Sequence, residues 1–204
     1  MKQFFFILIL CTLLLTPCFA QETNSLFVVS VNDKSGFIDK TGKIVIKPQW
    51  AGANEFSEGL AVVASYENGY QAGYIDETGK VVIPIKFDSA SNFSEGLAAV
   101  GFGEFGLHNG DGHKTGFIDK TGKLVIEPKF RDAESFSEGL ALVHLALVHN
   151  DEKYGYIDKA GKVVIPLQYE DASSFSEGLA FVKIGSKFGF IDRKGKVVIN
   201  QTFH

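Results

Sequence analysis

Nine carboxylates at fixed places in a 204-residue chain are the first candidates for chemistry. Five aspartates (Asp39, Asp76, Asp119, Asp158, Asp192) each close a Gly-Phe-Ile-Asp or Gly-Tyr-Ile-Asp tetrapeptide. Four glutamates (Glu58, Glu95, Glu138, Glu177) each stand third in a Phe-Ser-Glu-Gly-Leu-Ala hexapeptide. Paired carboxylates do glycoside hydrolysis, and clustered ones hold calcium. Hydrolysis, however, needs one acid in a different environment from its partner, so that one stays protonated while the other is ionised. Here every copy has the same neighbours, so repetition points to one structural job per copy. An aspartate that opens an Asp-x-x-Gly turn accepts backbone N–H groups, and the glycine takes φ > 0. The glutamates read as linker-turn residues. A shared calcium or ligand stripe is the other reading of both sets.

The insertion from Gly101 to Thr115 brings together His108, Asp111 and His113, which are metal-ligand types. It also holds Asn109-Gly110-Asp111-Gly112, which is turn material, and it reads as a loop with chance histidines. No Gly-x-Ser-x-Gly elbow or phosphate-binding Gly-x-x-x-x-Gly-Lys-Ser/Thr occurs. The Gly-Lys pairs such as Gly42-Lys43 lead into β-branched runs instead of helices. The net charge of −4 comes without a basic block, which excludes nucleic acid as a partner and disfavours anionic membrane surfaces. No catalytic residue, cofactor or metal is expected. An enzyme would have to draw its unique acids from the variable loops, Glu104 or Asp111 for instance, and an envelope-glycan hydrolase is that alternative.

The elements that position these residues are set by the repeat. The tetrapeptides start at Gly36, Gly73, Gly116, Gly155 and Gly189, and the hexapeptides at Phe56, Phe93, Phe136 and Phe175. Each phenylalanine lies 20 positions after its glycine, but the step onward to the next glycine is 17, 23, 19 and 14. One stretch is constrained and one loop is free. Gly36–Asp39 reads as a strand, Asp39–Gly42 as a turn with a bulge, and Lys43–Ile46 as a second strand ended by Pro48. Pro84, Pro128 and Pro166 hold equivalent places. A third strand follows each hexapeptide turn, as in Leu60–Ala64.

The expected fold is all-β: a tandem array of five three-stranded antiparallel meanders, with units at about 26–59, 60–96, 97–139, 140–178 and 179–204. An open, solenoid-like array is preferred because three strands fall short of a propeller blade; a closed propeller-like ring is the alternative. The tandem Leu-Ala-Leu-Val-His of residues 140–149 predicts a bulge or an extended, looser strand around Leu145–His149.

The first 20 residues read as a secretory signal peptide: Lys2, an apolar run from Phe4 to Leu15, Pro17, and a small residue at Ala20. The run is shorter than the roughly 20 residues that span a bilayer, so no membrane insertion is expected after its removal. Lipid attachment at Cys18 is the alternative, against which Pro17 counts. Both cysteines, Cys11 and Cys18, lie in this segment, so the expected mature chain has no disulfide.

These motifs resemble the WG-repeat family of bacterial proteins, whose units run Trp-Gly-Phe-Ile-Asp, a Gly-Lys turn, a Val-Ile-Pro strand, an aromatic, and Phe-Ser-Glu-Gly-Leu-Ala. The resemblance covers Leu26 to the end. It departs at the tryptophan, which is replaced by Ser35, Ala72, Thr115, Tyr154 and Phe188. If that tryptophan packs between units, three junctions here should be looser or filled differently. The resemblance implies binding or scaffolding modules. The per-unit insertions then form the expected binding face, with Tyr66, Tyr70, Phe102, Phe105 and Tyr154 as candidate ligand contacts. The expected protein is periplasmic or secreted and takes a protein or envelope polysaccharide as partner. An envelope spacer with no ligand is the remaining class.

Overall fold

Each Gly-Phe/Tyr-Ile-Asp copy becomes the middle strand of an antiparallel meander. The structure is a computed structural model and describes residues 25–67, 69–103, 113–147 and 151–201. The expectations for residues 1–20, Glu104, Phe105, His108, Asp111 and His149 fall on residues outside these ranges.

Sheet 1 runs β1 (Phe27–Val31), β2 (Lys34–Ile38), β3 (Ile44–Trp50). Sheet 2 runs β4 (Gly52–Ala53), β5 (Leu60–Ser65), β6 (Gln71–Asp76), β7 (Val81–Phe87). Sheet 3 runs β8 (Ser89–Ala90), β9 (Leu97–Phe102), β10 (Lys114–Asp119), β11 (Leu124–Phe130). Sheet 4 runs β12 (Asp132–Ala133), β13 (Ala141–Leu147), β14 (Asp151–Ile157), β15 (Val163–Tyr169). Sheet 5 runs β16 (Asp171–Ala172), β17 (Leu179–Ile184), β18 (Lys187–Asp192), β19 (Val197–Gln201). The fold is all-β and the array is open.

Four of the five sheets have one strand more than the three expected. The extra strand is two residues of the linker, as where Gly52 and Ala53 pair with Ala64 and Val63. Two residues are too short to show an alternating pattern in sequence. Strand number is therefore not what keeps the array open, since four strands is the blade count of a propeller.

Stacked sheets enclose one core per junction. At the second, Val62, Tyr74, Ile83 and Phe87 of sheet 2 meet Ala98, Val100 and Ile118 of sheet 3. The aromatics Phe37, Tyr74, Phe117 and Tyr156 project forward, and the rear faces that meet them carry an alanine, a valine and an isoleucine, as in Ala61, Val63 and Ile75. The rigid 20-residue offset has its reason here. In the first four units the aromatic of the tetrapeptide packs at a tilt on the phenylalanine of the following hexapeptide: Phe37 on Phe56 at 4.8 Å, Tyr74 on Phe93 at 4.9 Å, Phe117 on Phe136 at 4.9 Å, and Tyr156 on Phe175 at 4.8 Å. Both ends of the constrained stretch meet in one contact, so its length cannot drift. Alternate junctions add a hydrogen bond: the Tyr74 and Tyr156 hydroxyls donate to the Ser91 and Ser173 carbonyls at 2.8 and 2.7 Å, and burial raises both phenols above the usual tyrosine range.

One local expectation needs correction. The prolines do not end the second strand of the motif; β3, β7, β11 and β15 run through them. Ser35 pairs with Trp50 and Phe37 with Ile46, so Lys47, Pro48 and Gln49 bulge opposite the single residue Gly36. A bulge is where a residue without an N–H is tolerated within a ladder. The fifth unit has Asn200 there, and its ladder passes Gly189 without a shift. At the duplicated pentapeptide the described residues take the extended strand, one of the two expected forms, and not the bulge. β13 simply extends, pairing Leu145 with Lys153 and Leu147 with Asp151 in unbroken register.

The positions of the missing tryptophans are filled from across the ladder. Ser35, Ala72, Thr115 and Tyr154 pair with Trp50, Phe87, Phe130 and Tyr169. Ser35, Ala72 and Thr115 are buried there, so an aromatic from the neighbouring strand supplies the bulk.

Candidate binding surface

Strand direction gives every sheet two ends. One carries the Asp-x-x-Gly and Ser-Glu-Gly turns, and the other carries the variable loops.

On the turn end, all nine repeated carboxylates were candidates for chemistry. The Asp39 Oδ1 accepts from the Thr41 N–H at 2.8 Å, the Thr41 hydroxyl at 2.6 Å and the Lys43 N–H at 3.1 Å. Asp76 and Asp119 do the same with Thr78/Lys80 and Thr121/Lys123. Asp158 and Asp192 keep the two backbone bonds. The threonine hydroxyls, followed by backbone N–H donors, hold Asp39, Asp76 and Asp119 below the ordinary aspartate value; at Asp192 the Lys196 N–H leads.

The glutamates go further than a linker turn. Glu58, Glu95, Glu138 and Glu177 all have φ of 52–54°, and each precedes a glycine that also has positive φ. Two consecutive positive φ values make the tight type I′ turn, closed by hydrogen bonds such as Ser57 N to Leu60 O at 2.9 Å and the reverse at 3.1 Å. A glutamate in that conformation costs about 1–2 kcal/mol. Its carboxylate offsets this by reaching the next sheet. Glu58 accepts the Gly96 N–H at 3.1 Å and the Lys120 ammonium at 3.0 Å. Glu95 accepts the Gly139 N–H at 3.1 Å and the Lys159 ammonium at 3.0 Å. Glu138 accepts the Gly178 N–H at 3.0 Å, while Arg193 donates to its carbonyl at 3.0 Å. The serine beside each glutamate also crosses over: Ser57, Ser94 and Ser137 donate to the Phe93, Phe136 and Phe175 carbonyls at 2.7 Å.

The middle of the Asp-x-x-Gly turn is thus basic where a glutamate stands behind it (Lys120, Lys159, Arg193). Glu77, at the junction behind which no such hexapeptide stands, is acidic. This correlation was visible in the sequence, but only the stacking order gives it meaning. A shallow depression of about 430 Å³ lies among Glu138, Gly178, Asp192 and Arg193. Both its carboxylates already accept backbone N–H groups.

These carboxylates make stability depend on pH. Lys120 lowers the Glu58 carboxyl; at Glu95 burial pushes upward, but Lys159 and the Gly139 N–H outweigh it. A carboxyl depressed in the folded state binds more protons when unfolded, so its contribution is present above its unfolded value and is lost as pH falls through the folded one. The thermal midpoint is therefore expected to hold from pH 7 to about 5 and to fall below about pH 4, the ordinary carboxylate range. A midpoint that rises on acidification would contradict this.

The loop end places the five ligand-contact candidates very differently. Tyr66 and Tyr70 are 67% and 50% exposed and meet edge-to-face at 5.7 Å in the loop between β5 and β6. Phe102 is half-buried and packs edge-to-face on Phe87 at 5.6 Å, at the margin of the second core. Tyr154 stacks on His144 at 4.6 Å against the fourth inter-sheet core. Phe105 lies outside the described residues.

His113 is buried. Its Nδ1 lies 3.0 Å from the Gly103 carbonyl and its Nε2 3.5 Å from the Thr115 hydroxyl, at the base of the large insertion. The Asp88 carboxylate accepts the Gly103 N–H at 2.7 Å, and Glu170 accepts the Gly185 N–H at 3.0 Å. Asp88 and Glu170 carry no motif, and sequence reasoning missed them. Among the described residues, no three His, Cys, Asp or Glu cluster as a metal site, and no helix is long and apolar enough to cross a membrane.

The repeat is matched by a family model. The model of the WG containing repeat matches residues 36–67, 73–104, 116–144, 154–188 and 188–201. No curated protein matches the chain. Among solved structures, a protein of unknown function from Bacteroides caccae is 14% identical, with 88% of this chain and 78% of that one covered and a TM-score of 0.41. The uncharacterized protein lmo1340 of Listeria monocytogenes EGD-e is 15% identical, with 85% and 64% covered and a TM-score of 0.49. TolB of Acinetobacter baumannii is 14% identical, with 86% and 50% covered and a TM-score of 0.45, so the chain spans half of that protein's length. With five matched repeats, the chain belongs to the WG-repeat family.

Proposed function

We propose that the chain is an exported, non-catalytic repeat protein whose loop end binds a protein or an envelope polysaccharide. The observation that carries this reading is the division between the two ends. The repeated carboxylates serve the turns and junctions, whereas the loop end presents an exposed aromatic pair, Tyr66 and Tyr70. Exposed tyrosines give large contact area and a polar tip at small entropic cost, which suits sugar faces and protein surfaces alike. Export rests on the first 20 residues.

The test is retention. Immobilised chain is exposed to envelope extract and to purified peptidoglycan, and the Tyr66→Ala/Tyr70→Ala double variant is compared with the native chain. Capture is expected to weaken by about tenfold or more, the usual effect of losing an interface anchor, with an unchanged thermal midpoint. Equal capture by both would remove this loop as the site. No capture by either would favour the spacer.

A further inference from the structure

We propose that the loop between β5 and β6 is a site for neutral glycan, with the C–H face of an uncharged pyranose ring laid on Tyr66 or Tyr70. This rests on the loop end being a binding surface and chooses one of its two partners. The choice comes from the ladder pair two places from the tetrapeptide glycine, on the loop side. In four sheets that pair sets an apolar residue against a lysine: Val31 with Lys34, Phe102 with Lys114, Leu145 with Lys153, and Ile184 with Lys187. The second sheet alone pairs Ser65 with Gln71. The linker departs at the same level. Where it enters sheets 3, 4 and 5 it carries Asp88, Arg131 and Glu170, each donating its backbone N–H to the strand beside it. At sheet 2 the same bond comes from Ala51. The row beneath the two tyrosines is therefore uncharged, whereas every other sheet carries charge there.

That combination has a chemistry of its own. The two rings are inclined at 61° and both are at least half exposed. An aromatic face is negative, and it attracts the weakly positive C–H groups on the apolar side of a sugar ring. The Ser65 hydroxyl and the Gln71 amide both donate and accept, as sugar hydroxyls require. A few such groups beside an aromatic surface is the general make-up of a small-ligand site. Glu67 is the one charged residue between the tyrosines and is exposed, which disfavours an acidic polysaccharide. A protein partner needs about 800 Å² on each side around an apolar core. Toward the first sheet the surface continues as the exposed polar turn Asn32-Asp33, which supplies no such core.

Titration of the chain with soluble tetramers of N-acetylglucosamine and of glucose, followed by tyrosine-ring NMR, tests the assignment. Saturable binding of at least one neutral tetramer is expected, with a galacturonate tetramer bound about tenfold more weakly or worse. Tyr66→Phe/Tyr70→Phe should keep the binding, and Tyr66→Ala/Tyr70→Ala should weaken it about tenfold or more. Ser65→Ile/Gln71→Lys gives the second sheet the pair that Ile184 and Lys187 form in the fifth, so the sheet still folds. It is expected to weaken binding about tenfold through the lost neutral hydrogen bonds, with an unchanged thermal midpoint. Binding that ignores the loss of both rings, or the loss of the Ser65/Gln71 pair, would overturn the assignment. If neither neutral tetramer binds while capture of an envelope protein still depends on Tyr66 and Tyr70, the glycan assignment falls and the binding surface stands. If nothing is held through the tyrosines, both fall.

Discussion

Gly116→Ala is expected to cost about 3 kcal/mol, near the upper end for an overpacked core position, and to lower the urea midpoint accordingly. Gly116 is the first residue of the third tetrapeptide and lies opposite the bulge at Glu127–Lys129. A Cβ there would sit 2.5 Å from the Ile126 carbonyl oxygen and 2.9 Å from the Pro128 nitrogen. Both are backbone atoms of the paired strand and cannot swing aside like a side chain. Movement of β11 would also drag Ile126 and Phe130 out of the third core. Gly52→Ala is the control. It lies in a strand at ordinary φ with its nearest neighbour at 3.9 Å, and should cost less than about 0.5 kcal/mol. Similar losses for both would mean that generic strand effects, and not the bulge, fix the repeated glycine. Because sheets contact only their neighbours, a break in the middle unit is also expected to broaden the transition.

That glycine shows how far the sequence could be read. Its recurrence marked the start of each motif, and the proline five or six residues beyond the turn marked something about the next strand. Each was visible alone. Their relation was not: a bulge is a property of two strands in register, and only pairing places Pro128 against Gly116. The Asp-x-x-Gly turns were fully legible because every bond in them lies within four residues of Asp39 or its equivalents. The glutamate bridges span 38–44 residues, as from Gly96 to Glu58 and from Gly139 to Glu95. They depend on a stacking order that local pattern does not contain. The surface candidates divided for a similar reason. An aromatic in a variable loop reads as available, but Phe102 and Tyr154 sit on strands that reach back to the core margin, whereas Tyr66 and Tyr70 lie beyond their strand ends.

The same substitution at two glutamates is expected to have opposite signs. Glu95→Asn should destabilise the chain by about 1–2 kcal/mol, and Glu177→Asn should stabilise it by about 0.5–1 kcal/mol. Asparagine tolerates the left-handed conformation better than glutamate, so each change relieves strain at a φ of 54° or 52°. At Glu95 the relief is outweighed. The shorter side chain gives up the hydrogen bond to the Gly139 N–H and the ion pair with Lys159, a partly exposed pair whose worth is moderated by solvent. At Glu177 there is nothing to give up among the described residues, and only the relief remains. Urea unfolding of the two variants beside the native chain decides the matter. If both destabilise, glutamate is favoured at this turn whether or not it bridges, and relief of strain does not govern the position. If both stabilise, the bridge across the junction contributes nothing, and the recurrence of glutamate at a strained position would need another cause. Opposite signs would establish that the acid is kept for its reach into the next sheet.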